Sequence, residues 1–233
     1  MREITAVMLD NAVRDTSYPR VLDAGCGTGI MLGWLERYSK GRTVYGIDFS
    51  REALGFSRLR GHKKLVQGDI SNLPFPSDSF HLITCFDVLP HIPFDNALTA
   101  LSELHRVLVP GGLLYIRVPA NQWLWSGHDR ALDIYHRYSI QELKNKLLET
   151  GFIVSRSTYV NTILFPLAII IRLYKKFNIW NVGSDVKSLP NGLAWLNHIF
   201  LLVLKIEAWY LKKPWRRFPQ GLSVICLASK KLR

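Results

Sequence analysis

Three glycines and a carboxylate at the end of a predicted strand are the first residues whose types and spacing could do chemistry. A short apolar run at 21–22 ends in Asp23, and the chain then turns through Gly25, Gly27 and Gly29 before a predicted helix. Glycine has no Cβ, so the backbone can take positive φ there and a ligand can come within van der Waals contact. A strand, a glycine-rich loop and a helix N-terminus in this order can cradle a nucleotide-like cofactor.

Two further carboxylates follow the next two predicted strands. The strand 43–47 ends at Asp48, and the strand 65–67 is followed by Asp69 after one glycine. An acid at the first of these positions can accept hydrogen bonds from both hydroxyls of a ribose, and an acid at the second can face an adenine amino group. The neighbouring side chains available to sandwich the purine ring are Phe49 and Ile70.

A nicotinamide dinucleotide is the weaker alternative for this loop. Its fingerprint is G-x-G-x-x-G, whereas the third glycine here arrives one residue early and the residue after it is Ile30. The spacing therefore favours a different adenosine-containing cofactor.

Four segments resemble the class I S-adenosylmethionine-dependent methyltransferases, specifically the type 11 group related to ubiquinone and menaquinone methyltransferases. They are VLDAGCGTG (21–29), GIDFS (46–50), QGDISNLPFPSDSFHLITCFDVLPHI (67–92) and ELHRVLVPGGLLYI (103–116). The resemblance implies S-adenosyl-L-methionine as the cofactor. The residues that it implies in cofactor binding are Asp23, Gly25, Cys26, Gly27, Gly29, Asp48, Phe49, Asp69, Ile70 and Phe86.

Predicted strands alternate with predicted helices, which indicates a parallel sheet wound right-handedly. With the resemblance, this predicts an α/β fold with a Rossmann-like, seven-stranded, mostly parallel sheet and helices on both faces. The fourth strand, 80–86, is nearly all apolar, as a strand covered on both faces should be. The sixth and seventh strands, 152–159 and 221–229, are expected to pair antiparallel. We predict a single methyltransferase domain over 1–233, with a hydrophobic, basic helical insertion at 160–218 between these two strands.

Candidate catalytic groups follow the fourth and fifth strands. His91 comes soon after the fourth strand, and His128, Asp129 and His136 lie in an aromatic-rich segment after the fifth. The methyl group of a sulfonium is already activated, so the enzyme must mainly align the acceptor and remove a proton. His128 paired with Asp129 is the first choice for that base, with His91 and His136 as alternatives. A competing interpretation is that these groups only hold the loop through buried hydrogen bonds.

The positive charge of the chain is concentrated in its C-terminal third. The formal net charge is +12, and residues 151–233 carry 13 Lys and Arg against 2 Asp and Glu. Two uncharged apolar stretches there, 157–171 and 188–204, are shorter than the ~20 residues of a spanning helix. Lys and Arg interleaved with Trp and Tyr follow the second stretch. This pattern favours helices lying on an anionic bilayer surface.

Two other interpretations of the insertion stay open. The apolar helices could pack over the sheet as an extended lid, in which case Leu196, Ile199, Phe200 and Val203 would be core residues. Alternatively, cations beside aromatic rings can bind RNA, but the basic residues here are embedded among Leu and Ile rather than on a polar face. Nucleic acid is therefore the least favoured partner.

The remaining signals concern the compartment and the thiols. Residues 1–20 lack the apolar core of a signal peptide, which predicts a cytoplasmic protein, with peripheral attachment at the inner face of the membrane as a further hypothesis. The cysteines at 26, 85 and 226 have no ligand-like spacing, so we expect free, buried thiols and no metal site.

The function predicted from these observations is S-adenosylmethionine-dependent methyl transfer to an apolar or lipid-linked small-molecule acceptor held near strands four and five. The alternatives are a non-catalytic cofactor-binding adaptor at the membrane, and a methyltransferase acting on a soluble metabolite or RNA.

Overall fold

One sheet of seven strands organises the fold in the computed structural model, which describes residues 1–13, 19–39, 43–170 and 195–232. The strands are β1 (Arg20–Ala24), β2 (Thr43–Asp48), β3 (Leu65–Gln67), β4 (Phe80–Phe86), β5 (Leu108–Pro119), β6 (Phe152–Val160) and β7 (Ser223–Lys230). Their spatial order is β3-β2-β1-β4-β5-β7-β6. The first five strands pair in parallel, and β7 runs antiparallel to both β5 and β6. The predicted Rossmann-like sheet is confirmed.

Helices cover both faces of this sheet. They are α1 (Arg2–Ala12), α2 (Leu32–Ser39), α3 (Arg51–Leu59), α4 (Ala97–Val107), α5 (Gly127–Ala131), α6 (Ile140–Glu149) and α7 (Trp195–Leu211). Apolar side chains of α4 and α6 pack in one core cluster with the strands. Side chains of α1, α2 and α7 pack in a second cluster on the other face. The central strand β4 lies between the two clusters and is largely buried on both sides, which explains why it is apolar almost throughout.

The order of the strands reverses between β1 and β4, since the chain runs outward through β2 and β3 before returning to the centre. In open α/β sheets, ligands bind in the crevice outside the carboxyl ends of the strands at such a switch point. The glycine loop follows β1 directly, and a short 3-10 turn, Leu89–His91, follows β4.

The predicted insertion begins immediately after β6. Residues 165–170 are helical, residues 171–194 lie outside the described residues, and α7 follows them. Glu207 of α7 is fully buried and accepts hydrogen bonds from the backbone N–H groups of Asn161 and Ile163, both at 2.8 Å. Arg156 of β6 donates to the carbonyl oxygen of Leu211 at 2.7 Å. These two contacts fix the start of the insertion and the end of α7 to the domain.

None of the helices among the described residues combines the length and the apolar composition needed to cross a bilayer. The three cysteines are free and buried, as expected.

Candidate functional site

A cavity of about 730 Å³ lies at the carboxyl ends of β1 to β4. Its lining residues are Gly25, Asp48, Phe49, Ser50, Gly68, Asp69, Ile70, Phe86, Asp87, Val88, His91, Ile92 and Asp133. The cavity therefore has one end formed by the residues after β1, β2 and β3, and another formed by the residues after β4 together with Asp133. We call these the cofactor end and the acceptor end.

At the cofactor end, the Asp48 carboxylate is held by two backbone donors. It accepts hydrogen bonds from the N–H of Gly27 at 2.7 Å and from the N–H of Ser50 at 2.9 Å. A carboxylate offers about four lone-pair positions, so acceptor capacity remains for two hydroxyl groups of a ribose. The loop after β1 and the end of β2 are thus joined through the side chain predicted to hold the sugar.

The Asp69 carboxylate is also held by a backbone donor. One oxygen of its carboxylate accepts from the N–H of Ser71 at 2.7 Å, and the residue lines the cavity. Phe49 is 78% exposed and Ile70 is 4% exposed, yet both line the same space. A carboxylate between an aromatic face and an aliphatic side chain suits an adenine ring with its amino group.

Gly25 is the loop residue that the cavity requires to be glycine. Its φ is +79°, and a Cβ added there would lie 2.0 Å from Cγ2 of Val88. Both residues line the cavity, so a side chain at position 25 would meet the chain that follows β4 and fill space that a ligand needs. A glycine cradle, two carboxylates and an apolar slot fit the adenosine and amino acid portions of S-adenosylmethionine.

Four of the predicted cofactor residues do not line the cavity. Gly27 contributes its N–H to Asp48. A Cβ at Gly29 would lie 2.3 Å from Oγ of Ser57, so this glycine lets the loop pack closely on α3. The other two, Asp23 and Cys26, are buried. A direct contact of any of the four with the cofactor stays a prediction.

The burial of Asp23 has an electrostatic consequence. Its carboxylate is 1% exposed and accepts a hydrogen bond from the Thr84 hydroxyl at 2.7 Å. Burial raises the pKa of Asp23 to about 7, and the nearby Asp48 charge acts in the same direction. Burial also raises the pKa of the Cys26 thiol to about 12, so this thiol is not a nucleophile near neutral pH.

The acceptor end contains a charge pair that the sequence did not single out. Asp87 has φ +58° and follows β4 directly. Arg117 of β5 donates to its carboxylate through Nε at 3.0 Å and also pairs with it through a terminal nitrogen. The guanidinium lies 5.3 Å from the centroid of the Phe86 ring. Asp87 was recognisable as a residue that follows a strand, whereas its pairing with position 117 depends on the β4–β5 register.

His91 is the one predicted catalytic residue that lines the cavity among the residues whose side chains the structure describes. It is exposed at the rim, and its Nδ1 lies 3.2 Å from the main-chain oxygen of Asp133. Asp133 itself was not anticipated. It lies in the left-handed region, with φ +52°, after the short helix α5.

Asp129 and His136 are placed away from the cavity lining. Asp129 is fully buried, and Arg137 donates to its Oδ1 from Nε at 2.9 Å and from a terminal nitrogen at 2.5 Å. Its Oδ2 accepts from the N–H of Ser126 at 2.9 Å. The His136 ring packs 4.4 Å from Phe94, measured between ring centroids. The backbone of His128 lies in α5, but its side chain is outside the described residues. The geometry favours a loop-holding role for Asp129 over proton transfer.

The sheet order, the antiparallel seventh strand and the acid-lined cavity agree with the class I methyltransferase fold. Residues 22–116 match the family described as Methyltransferase domain. A demethylmenaquinone methyltransferase from Geobacillus kaustophilus is 33% identical over 140 residues, which cover 57% of this chain and 58% of that one. The corresponding enzyme of Staphylococcus aureus is 40% identical over 116 residues, covering 46% of this chain and 45% of that one.

Solved structures share this fold. A SAM-dependent methyltransferase from Archaeoglobus fulgidus superposes with a TM-score of 0.61 at 16% identity, covering 99% of this chain and 95% of that chain. Residues 22–116 therefore match a methyltransferase domain, the sheet has the class I methyltransferase fold, and this match and the fold imply S-adenosylmethionine as the cofactor. The chain spans about half the length of the curated relatives it matches.

Proposed function

We propose that this protein transfers the methyl group of S-adenosylmethionine to a small-molecule acceptor, and that this acceptor is apolar or lipid-linked. The observation that carries the proposal is the continuous cavity, in which Asp48 and Asp69 form one end and His91 and Asp87 form the other. The bound cofactor supplies a sulfonium with an activated methyl group. The cavity residues then have to hold the acceptor in line with that methyl and take up a proton.

His91 is the proposed proton acceptor. It lines the acceptor end, whereas Asp129 and His136 do not. A neutral imidazole can accept a proton near physiological pH. The bound cofactor would supply the methyl group to the acceptor nucleophile, and His91 would take up the proton that the nucleophile loses.

The proposal of an apolar acceptor is supported by the outward surface of α7. The inward stripe of this helix, Leu204, Glu207, Ala208 and Leu211, packs on the domain. The opposite stripe, which we call the α7 face, consists of Ile199, Leu202, Ile206 and Trp209 and is 44–65% exposed. These residues recur at helical spacing on the side where a water-facing helix normally carries polar groups. Of the residues that the lid alternative would place in the core, Ile199 is exposed, Phe200 and Val203 are half-buried, and the side chain of Leu196 lies outside the described residues.

One cation, Lys205, lies within α7, and four more follow its C-terminal end. Lys205, Lys212, Lys213 and Arg217 are exposed, and Arg216 lies 4.8 Å from the centroid of the Tyr210 ring. Exposed apolar side chains flanked by aromatic and basic residues suit the headgroup region of an anionic bilayer. We therefore propose peripheral attachment through the α7 face, which would bring the protein to an acceptor dissolved in the membrane.

The relatives support the same substrate class. Their name, demethylmenaquinone methyltransferase, assigns to those proteins a quinone-type acceptor. A quinone-type acceptor for this chain would be consistent with the exposed apolar side chains of α7.

Transfer of a labelled methyl group tests the reaction. The protein is incubated with cofactor carrying labelled methyl and with separate lipid, soluble-metabolite and RNA fractions of a cell extract. We expect label in the lipid fraction, which organic extraction and mass spectrometry would identify. Label confined to soluble metabolites or to RNA would replace the proposed acceptor class, and cofactor binding without transfer to any fraction would indicate a non-catalytic adaptor.

Substitution of histidines tests the base. His91→Ala should lower turnover at saturating acceptor by about 10²-fold or more, the usual contribution of a general base, and should leave cofactor affinity unchanged. His136→Ala is the comparison, because this ring packs on Phe94 outside the cavity lining. A large loss in His136→Ala with none in His91→Ala would contradict the assignment.

Vesicle flotation tests the attachment. Each cation near an anionic surface contributes about 1 kcal/mol, so changing Lys212, Lys213, Arg216 and Arg217 to Gln should weaken binding by at least about tenfold. The charge-matched control changes Arg58, Arg60, Lys63 and Lys64, which are exposed near β3, to Gln. Equal binding by the two variants, or no flotation of the unaltered protein with anionic vesicles, would refute the membrane proposal.

A further inference from the structure

The loop of residues 125–137 contacts the acceptor end through the main-chain oxygen of Asp133. The carbonyl oxygen of Asp133 lies 3.2 Å from Nδ1 of His91, and Asp133 lines the same cavity. Its φ of +52° turns the chain at this point. Residues other than glycine rarely adopt this conformation unless the surrounding structure holds them there.

A carbonyl oxygen can only accept a hydrogen bond, so Nδ1 of His91 must carry the proton in this contact. In a neutral imidazole the other nitrogen, Nε2, is then the acceptor. We infer that Asp133 is a positioning residue for the reaction: its main-chain oxygen fixes His91 in the Nδ1–H tautomer and leaves Nε2 as the atom that accepts a proton. The inference rests on the proposed methyl transfer, in which His91 takes up the proton. The loop would then serve to orient His91.

Three hydrogen bonds hold the Asp133 carbonyl in place. The N–H of Ile134 donates to the main-chain oxygen of Asp129 at 2.8 Å, and the Trp125 indole N–H donates to the main-chain oxygen of Ile134 at 2.9 Å. The N–H of Tyr135 donates to the main-chain oxygen of Pro90 at 2.8 Å. Pro90 and His91 belong to the same 3-10 turn. The hydrogen bond to Pro90 therefore fixes the loop relative to His91.

The buried ion pair between Asp129 and Arg137 stabilises the same loop. The main-chain oxygen of Asp129 accepts a hydrogen bond from the N–H of Ile134, and its carboxylate accepts from Arg137. Asp129 and Arg137 are both at most 4% exposed. A buried pair of this kind is costly to break from one side. The Asp129 carboxylate thus helps to hold the turn at Asp133.

The test compares two substitutions at position 133 that differ in backbone preference. Asp133→Gly is compatible with the left-handed conformation, whereas Asp133→Val is strongly disfavoured there because its side chain is β-branched. Nitrogen-15 NMR of the histidine rings reports which ring nitrogen of His91 carries the proton, whether or not the protein turns over. We expect the Nδ1–H tautomer in the unaltered protein and in Asp133→Gly. In Asp133→Val we expect a shift toward the Nε2–H form, with turnover at least about tenfold below that of Asp133→Gly.

A third variant separates the carbonyl from the carboxylate. Asp133→Asn retains the main-chain oxygen and tolerates positive φ, so the His91 tautomer should not change. If Asp133→Val fails to fold, Trp125→Phe removes one donor to the loop while keeping an aromatic ring, and it should shift the tautomer in the same direction.

An Nε2–H tautomer in the unaltered protein would overturn the inference, as would equal tautomers in Asp133→Gly and in a folded Asp133→Val. An Nδ1–H tautomer without methyl transfer to any extract fraction would instead refute the proposed function while leaving the contact intact. The two failures are therefore distinguishable.

Discussion

The buried carboxylate of Asp23 predicts a pH-dependent stability that one substitution should remove. Its pKa is raised from 3.8 to about 7, chiefly by burial. The difference is about 3 pH units, and each unit corresponds to 1.36 kcal/mol. Ionised Asp23 should therefore destabilise the folded protein by up to about 4 kcal/mol relative to its protonated form.

The sign follows from the order of the two titrations. Below about pH 4 the carboxyl is protonated in both the folded and unfolded states, and its favourable contribution is complete. Between about pH 4 and pH 7 the unfolded state loses its proton first, so the free energy of unfolding falls as the pH rises. Above about pH 7 both states are ionised and this contribution no longer changes.

Asp23→Asn should abolish this slope, because an amide has the same shape, keeps an oxygen for the Thr84 hydroxyl and does not titrate. Urea unfolding of both proteins at a series of pH values measures the difference. We expect the variant to gain stability relative to the unaltered protein by several kcal/mol between pH 4.5 and pH 8, with about 4 kcal/mol as the upper limit. Asp95→Asn, on an exposed turn, is the control and should follow the unaltered protein. Parallel curves for Asp23→Asn and the unaltered protein would refute the reasoning.

Three further outcomes follow from the site. Asp48→Ala removes an acceptor for hydrogen bonds worth about 1.5 to 3 kcal/mol each. Calorimetry should therefore show at least about tenfold weaker binding of S-adenosylmethionine. Unchanged affinity would exclude a contact between Asp48 and the ribose. Gly25→Ala forces a Cβ to 2.0 Å from Val88, and we expect loss of cofactor binding while circular dichroism stays native. Arg137→Met leaves Asp129 buried without its ion-pair partner and should lower the free energy of unfolding by about 3 to 5 kcal/mol. Adding Asp129→Asn should restore part of that stability. Additive losses in the double variant would argue against an energetic coupling between the two residues.

The cofactor end was predictable because its chemistry is local. The loop after β1 and the carboxylates after β2 and β3 each follow a strand within a few residues, so apolar runs and glycines locate them without tertiary information. β2, β3 and β4 begin and end where the sequence indicates, apart from the inclusion of Asp48 as the last residue of β2. The carboxyl ends of parallel strands then meet at one edge of the sheet, which brings Asp48 and Asp69 into one cavity.

The acceptor end was less predictable because its residues meet through tertiary contacts. Asp133 reaches the cavity through a left-handed turn that hydrogen bonds to Asp129, Trp125 and Pro90 hold in place. Aspartate tolerates positive φ, but it does so in many loops and does not by itself indicate a turn at a cavity. His136 and His91 look alike in the sequence, but only the second lies at the rim, since the first packs against Phe94. The packing of α7 was open in the sequence for a similar reason, because helical spacing identifies the stripes of the helix and tertiary packing decides which stripe faces the domain.

The position of β7 has a consequence for how the protein is made. β5 and β6 both pair with β7, but β7 follows them in the chain, after the whole insertion. During synthesis from the N-terminus, the edges of β5 and β6 that will receive β7 stay open until the insertion has left the ribosome. At about 5 to 20 residues per second, this delay lasts several seconds, during which α7 already presents apolar side chains.

The nascent chain therefore passes through a stage in which an unpaired strand edge and an apolar helix are exposed together, the combination most prone to aggregation. Stalled chains that end before Ser223 should be cleaved by protease within β6, and chains that include Lys230 should resist; equal resistance would show that the sheet closes earlier. If the proposed attachment of α7 to a bilayer began during translation, it would also shield this helix during that interval.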